Sequence, residues 1–355
     1  MRVAMIGSRS SIHIVRWANS LSKRGYKVTV LSMHAQKDDF DSDVSIVEMP
    51  FRNPYGYVLN IPFLYFKLKD LKPDLVHSFY AFGHSFLARM TGFKPHIVSV
   101  LGSDIYDDTE KNFLFKWIIR KNVLSADVIC STSNVMAEKI KDVIEKDREI
   151  KITPFGVDIE KFVKKTDLKD HDFELTIGTV KKLEDKYGVD VLIRSFALFV
   201  GKFPDLKTRL VIVGEGSKRE ELITLSKKLN VFEKCEFVGS VKHEKVPKWL
   251  NKFDIFMALS RLDSESFGVS VIEAMSCEIP VIVSNVGGLK EVTKNDETGL
   301  IVPNEDSFEA SKKIEFLFKN PDKAKELGKN ARSEVIIKYS WKKSVEIMNN
   351  IYKSI

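Results

Sequence analysis

Two glutamates eight residues apart, Glu265 and Glu273, lie in the stretch Ser260 to Glu291, S-R-L-D-S-E-S-F-G-V-S-V-I-E-A-M-S-C-E-I-P-V-I-V-S-N-V-G-G-L-K-E. The first falls in a polar, glycine-containing loop, and the second falls a turn or so into an apolar helical segment that opens near Val269. Helix N-termini gather backbone N–H groups that lack intrahelical acceptors, which suits an anion such as a diphosphate. Carboxylate oxygens beside such amides suit the hydroxyls of a sugar. The pattern therefore fits a phosphorylated sugar, with amides for the phosphate and acceptor oxygens for the hydroxyls.

The flanking residues are those needed to hold this arrangement. Ile255-Phe256-Met257-Ala258-Leu259 reads as a buried strand running into the loop. Pro280 opens a second strand, Val281-Ile282-Val283, that stops at Gly287-Gly288. The same strand–loop–helix alternation fills most of the chain, which predicts an α/β protein with parallel, doubly wound sheets. Val3–Ile6, Val28–Leu31, Ile97–Val100 and Leu210–Val213 are further strands. Ile12–Arg24 is a helix with Ile14, Val15, Ala18 and Leu21 on one face, and Lys111–Val123 is an aromatic and basic helix. The loop Gly7-Ser8-Arg9-Ser10-Ser11 lies where ligands bind in such sheets, but it lacks G-x-G-x-x-G and so does not support a dinucleotide site. His13 follows in the first helical turn as a cleft candidate.

At 355 residues and 44% apolar content the chain has room for two ordinary domains. The opening Met1-Arg2 runs directly into a strand, and the longest charge-free apolar stretch, Asn53 to Phe66, is interrupted by Pro54, Gly56 and Pro62. Neither a signal peptide nor a membrane span is expected. Three scattered cysteines offer no disulfide framework or metal spacing, which fits a reducing cytoplasm. The net charge of +7 is uneven: residues 1–165 hold 25 Lys and Arg against 19 Asp and Glu, and the remainder 31 against 30. Phe51–Lys72 and Lys111–Lys121 interleave Lys or Arg with aromatic residues, as a core-facing helix with snorkelling lysines or a membrane-facing one would. A nucleic-acid-binding module finds no aromatic strand motif or zinc spacing to support it.

The wording around the glutamates resembles retaining glycosyltransferase family four, the group 1 glycosyl transferases. The E-x7-E pair, E-S-F-G-V-S-V-I-E-A-M, P-V-I-V-S-N-V-G-G-L-K-E-V and T-G-L-I-V-P all match. Pro154-Phe155-Gly156-Val157-Asp158 with Phe162, Pro73-Asp74-Leu75-Val76-His77, and Ala126-Asp127-Val128-Ile129 resemble other family segments. The resemblance implies a GT-B fold, two facing Rossmann-like domains with a C-terminal crossover helix. The implied domains are an acceptor domain over 1–165, with the tail from about 340 to 355, and a nucleotide-sugar donor domain over 166–339. It also implies sugar transfer from a nucleotide-diphosphate donor, UDP-sugar favoured, to a hydroxyl of a glycan or lipid-linked acceptor. Neither a cofactor nor a metal is required. Cytoplasmic placement at the inner face of an anionic membrane follows, with surface polysaccharide or glycoconjugate synthesis as the setting.

Residue by residue, the family pattern makes Glu265 catalytic and Glu273 a ribose ligand, with Ser266, Gly268, Val269 and Gly214 also at the donor. Gly178-Thr179-Val180-Lys181-Lys182…Lys186-Tyr187-Gly188 resembles the family's G-R-L…K-G diphosphate clamp, with Thr179 in the arginine position and Tyr187 inserted. Lys186 is carried over from that clamp, and Lys181 stands in for the missing cation. On the acceptor side Asp104 is the second catalytic candidate, with Ser103 and His77 as acceptor or cleft candidates; Leu101 occupies the position of the family's histidine. Asp39-Phe40-Asp41 and Asp41-Ser42-Asp43 look like the D-x-D metal motif of another glycosyltransferase architecture, but they sit in an acidic linker and are assigned no metal. A nucleotide-sugar epimerase, a phosphorylase of the same fold and a non-catalytic anion-binding protein are the competing classes.

Overall fold

A computed structural model describes residues 1–35 and 40–355 and resolves two compact units, Met1–Pro154 with Ser344–Ile355, and Phe155–Lys343. Asp39 lies outside the described residues, whereas Asp41 pairs with Lys23 at 2.9 Å.

In the first unit seven parallel strands form one sheet: β1 (Arg2–Ile6), β2 (Lys27–Ser32), β3 (Ser45–Glu48), β4 (Leu75–Phe79), β5 (His96–Ser99), β6 (Val128–Ser131) and β7 (Lys151–Ile152). Their spatial order is β3-β2-β1-β4-β5-β6-β7, with Met5 opposite both Val30 and His77. Every residue of β4 is buried, as expected of a parallel strand covered on both faces. The helix Ile12–Ser22 buries Ile14, Val15, Trp17, Ala18 and Leu21 against this sheet. Gly7 lets that helix approach closely, because a Cβ there would lie 2.3 Å from Ile14 Cδ1.

One expectation changes here. The helix foreseen over Lys111–Val123 is broken at Asn112, whose side chain caps a new helix, Phe113–Ser125, by accepting from the Phe115 amide at 3.0 Å. A separate helix, Ser103–Lys111, precedes it. From Ser344 onward the terminal helix Trp341–Lys353 belongs to this unit: Tyr352 is fully buried and its hydroxyl bonds His77 Nδ1 at 2.6 Å. Tyr26 donates to Asn349 Oδ1 at 2.9 Å beside it.

The second unit holds six parallel strands, β8 (Leu175–Val180), β9 (Thr208–Val213), β10 (Cys235–Gly239), β11 (Ile255–Ala258), β12 (Val281–Ser284) and β13 (Leu300–Val302). They run β10-β9-β8-β11-β12-β13 in space. The chain winds outward one way from β8 and the other way from β11, so the direction of winding reverses between these neighbours. Ligands of open α/β sheets bind outside the carboxyl ends of strands at such a reversal. The core beneath includes Ile177, Leu192, Phe196, Ile212, Met257 and Ile282. No helix among the described residues is long and apolar enough to cross a membrane.

Candidate active site

The pairing of Phe256 with Gly178 brings the exits of β8 and β11 level, so that the segments after Val180 and Ala258 emerge side by side. Lys181 is the first residue beyond β8. Its amide donates to Val213 O at 3.0 Å, and its carbonyl packs so closely on Gly214 that a Cβ there would come within 1.8 Å. Gly214 has φ near 149°, so glycine is required on both counts.

Beyond β11 the loop Arg261–Phe267 is tied to the Gly287-Gly288 turn. Asp263 Oδ1 accepts from the Gly287 amide at 2.6 Å, and the Glu265 carbonyl accepts from the Gly288 amide at 2.8 Å. Arg261 holds the loop from its other side, donating to Asp190 and Glu305 at 2.6 Å each and to the Asp185 carbonyl at 2.7 Å. Thus fixed, Glu265 receives a hydrogen bond from the Lys181 ammonium at 2.8 Å, with Ser260 Oγ at 3.4 Å from the same oxygen. Both partners are nearly buried, Lys181 at 7% side-chain exposure and Glu265 at 12%. The Tyr187 ring lies 5.1 Å from the Lys181 ammonium and 5.2 Å from that of Lys186, a distance at which a ring face attracts a cation. Two sequence-derived candidates, Lys181 and Lys186, thus share one aromatic ring, and Lys181 brings in a third, Glu265.

Gly268, in the left-handed region at φ 85°, turns the loop into the helix Val269–Ser276. Val269 forms its first turn, and Ser266 is buried just before it. Glu273 is buried one turn further on and bonds His243 Nε2 at 2.6 Å through Oε1. The unit therefore offers two ammonium groups, a helix N-terminus and two anchored carboxylates at the carboxyl ends of β8 and β11. That combination can neutralise a diphosphate and accept hydrogen bonds from sugar hydroxyls.

The first unit presents its candidates differently. Asp104 is fully buried, and its oxygens accept from the amides of Ala81 (2.6 Å), Gly102 (2.8 Å) and Leu101 (3.1 Å). Burial pushes its pKa up to about 6, against the opposing pull of those amides. It anchors the start of helix Ser103–Lys111 and faces inward. His77 is also buried, between Tyr352 and Ser99. Ser103 remains partly exposed, 3.3 Å from the hydroxyl of Tyr80, which in turn donates to Asp108 Oδ2 at 2.8 Å. His13 is half-buried in the first turn of its helix. Tyr80, Asp108, Arg261 and His243 were not singled out from sequence. The only sequence signal for Arg261 was its place in the glutamate loop, and Tyr80 carries its information in a positive φ of 85°, which residue type does not reveal.

The buried histidines of this unit make it acid-sensitive. Burial lowers His77 to about 3, and lowers His84 and His96 to about 4. A group whose folded pKa is depressed contributes stability that is complete above its unfolded value, near 6.5, and is lost as pH falls toward the folded one. Asp104 acts oppositely, since the cost of burying its charge is relieved below about 6, but one carboxylate opposes three histidines. The melting temperature is expected to fall between pH 7 and pH 4, less steeply in His96→Gln. A midpoint independent of pH would contradict this.

Two parallel sheets, of seven and six strands, are the architecture of the GT-B fold. Residues 158–334 match the family model for glycosyl transferases group 1, and residues 2–133 match that for glycosyl transferase 4-like domains. The chain belongs to this glycosyltransferase family. It is 26% identical over 293 residues to the N-acetyl-alpha-D-glucosaminyl L-malate synthase of Bacillus anthracis, covering 79% of this chain and 74% of that one. Among solved structures, sucrose-phosphate synthase from Thermosynechococcus elongatus superposes with a TM-score of 0.85 at 19% identity, over 100% of this chain and 98% of the other. HepE of Anabaena, solved in complex with UDP and glucose, superposes with a TM-score of 0.80 at 15% identity, over 100% and 99%.

Proposed function

We propose that the protein is a retaining glycosyltransferase that moves a sugar from a nucleotide-diphosphate donor, UDP-sugar favoured, to a hydroxyl of a glycan or lipid-linked acceptor. The observation that carries this reading is the Lys181–Glu265 pair set beside the helix start at Gly268 and Val269. The bond from the anomeric carbon to the diphosphate breaks, the acceptor oxygen attacks from the same face, and its proton passes to the departing phosphate oxygen. Lys181, Lys186 and the first-turn amides take up the charge growing on the diphosphate, so the proposed step draws on no metal or cofactor. Glu265 stabilises positive charge at the anomeric carbon, and Glu273 accepts from the ribose hydroxyls. Ser266 and Gly214 line the same donor site. UDP is favoured because HepE is described with UDP, with UDP-glucose and with UDP and glucose. Incubation with UDP-, GDP- and ADP-sugars and saccharide or glycolipid acceptors should release nucleoside diphosphate as the sugar arrives with its anomeric configuration retained. An inverted product, or an epimerised donor without transfer, would overturn the reading.

The acceptor is further proposed to be presented at an anionic membrane in surface polysaccharide or glycoconjugate synthesis, with the enzyme at the inner face. Support comes from side chains that packing does not use. Leu64, Leu68, Ile119 and Val123 point inward, whereas Tyr55 (76%), Phe66 (67%) and Phe113 (82%) are exposed. Tyr57, Phe82 and Phe115 join the two segments, with ring centroids 6.5 and 4.5 Å apart. Exposed Arg52, Lys69, Lys72, Lys111 and Lys121 accompany them. Each basic residue near an anionic leaflet contributes roughly 1 kcal/mol, enough in sum for loose, salt-sensitive docking. The protein is expected to pellet with anionic vesicles at low salt, to release as salt rises and to ignore neutral vesicles. Solubility with both kinds would contradict it.

A further inference from the structure

His243 belongs to a short turn, His243–Lys245, that follows β10, and it meets the site through Glu273. Facing a carboxylate at 2.6 Å, its Nε2 carries the hydrogen and donates to Glu273 Oε1. The ring packs on Phe162 with centroids 5.4 Å apart. Phe162 is itself buried, and its carbonyl accepts from Ser276 Oγ at 2.6 Å. Ser276 and Glu273 share the helix Val269–Ser276. The imidazole is therefore held against a platform fastened to the helix whose carboxylate it grips. Glu273 is 94% buried along its side chain and His243 keeps a third of its own exposed, so the pair meets at the edge of the core.

We infer that His243 is a positioning residue that confers selectivity for ribonucleotides over 2′-deoxyribonucleotides. It holds one oxygen of Glu273 and so fixes the rotation of the carboxylate. The remaining acceptor capacity of that carboxylate then meets both vicinal hydroxyls of a ribose at once. A carboxylate free to rotate would still accept from one hydroxyl but would lose the paired geometry that distinguishes ribose from 2′-deoxyribose. This rests on the reading that Glu273 binds the ribose.

The test is calorimetry with UDP, GDP and ADP and their 2′-deoxy counterparts, on the wild type, His243→Ala, His243→Gln, Glu273→Ala and the double alanine variant. The nucleotide that binds the wild type is expected to bind about 10-fold or more better than its deoxy form, the worth of a hydroxyl's hydrogen bond to a carboxylate. His243→Ala should cut that preference by about 5- to 10-fold, the worth of one ordinary hydrogen bond. His243→Gln, whose amide donates to the same oxygen, should recover part of it, and the double variant should be no weaker than Glu273→Ala alone. A His243→Ala protein that keeps the wild-type preference, or that weakens both forms equally, overturns the inference while leaving the donor site standing. Failure of all three ribonucleotides to bind the wild type would remove the donor-site reading with it.

Discussion

Glu265→Gln is expected to lower the rate of transfer by about 10²–10³, the usual cost of losing one aligned electrostatic contact at a reacting centre, in a protein that still folds but melts lower because the buried Lys181 ammonium loses its counter-charge. The substitution preserves size and removes charge, and the backbone of residue 265 stays clamped by its own bonds to Gly288 and Leu262. What is lost is the negative charge that the proposed mechanism sets against the anomeric carbon, together with the counter-charge to Lys181 at 2.8 Å. Because positive charge develops on the sugar only as the bond to the diphosphate breaks, the loss should appear in kcat, with the donor KM little changed. Turnover near the wild-type value would remove Glu265 from the mechanism.

Lys181→Ala should have an effect of similar size through the opposite charge. The ammonium is almost wholly buried, so its field is poorly screened by solvent. Removing it also leaves the Glu265 carboxylate nearly buried without its cation, which is destabilising in itself. A loss of about 10²-fold in kcat/KM is expected, accompanied by a lower melting temperature. Lys181→Arg keeps the charge and should recover stability before it recovers rate, since the longer, planar fork fits the Glu265 and Tyr187 surroundings differently. Full activity in the alanine variant would show that the diphosphate is neutralised elsewhere.

Much of this site is legible in the sequence, because it is written in local signals. The apolar run at Ile255–Leu259, the glycine at 268 and the proline at 280 mark a strand, a loop, a helix start and a second strand. Those elements occur as β11, the helix Val269–Ser276 and β12. What stayed hidden depends on long-range packing. Lys181 and Glu265 are 84 residues apart in sequence, and only the adjacency of β8 and β11 makes them partners. Glu273 and His243 are 30 apart, on the helix after β11 and the turn after β10, strands that are not neighbours in the sheet. The edge strand β3 was missed because its four residues are exposed or half-buried, which leaves almost no alternation to read. The direction of a side chain is likewise not a property of its type: Asp104 reads as a polar group near a cleft, but its oxygens turn inward to three backbone amides. The aromatic segments show the converse, since periodicity marked an apolar face and could not reveal that Tyr55, Phe66 and Phe113 lie outside it.

Placing the nucleotide in the second unit can be tested most directly by titrating UDP, GDP and ADP into the wild type, Glu273→Ala and Lys186→Ala, followed by melting temperature and calorimetry. A ligand that binds only the folded state raises the melting temperature with its concentration, by about 2.7 kcal/mol of stability at one hundred times Kd. At least one nucleoside diphosphate should do so in the wild type and bind each variant more weakly, through lost ribose contacts in one and lost diphosphate contacts in the other. A wild type indifferent to all three, or variants that bind as tightly as it does, would contradict the assignment.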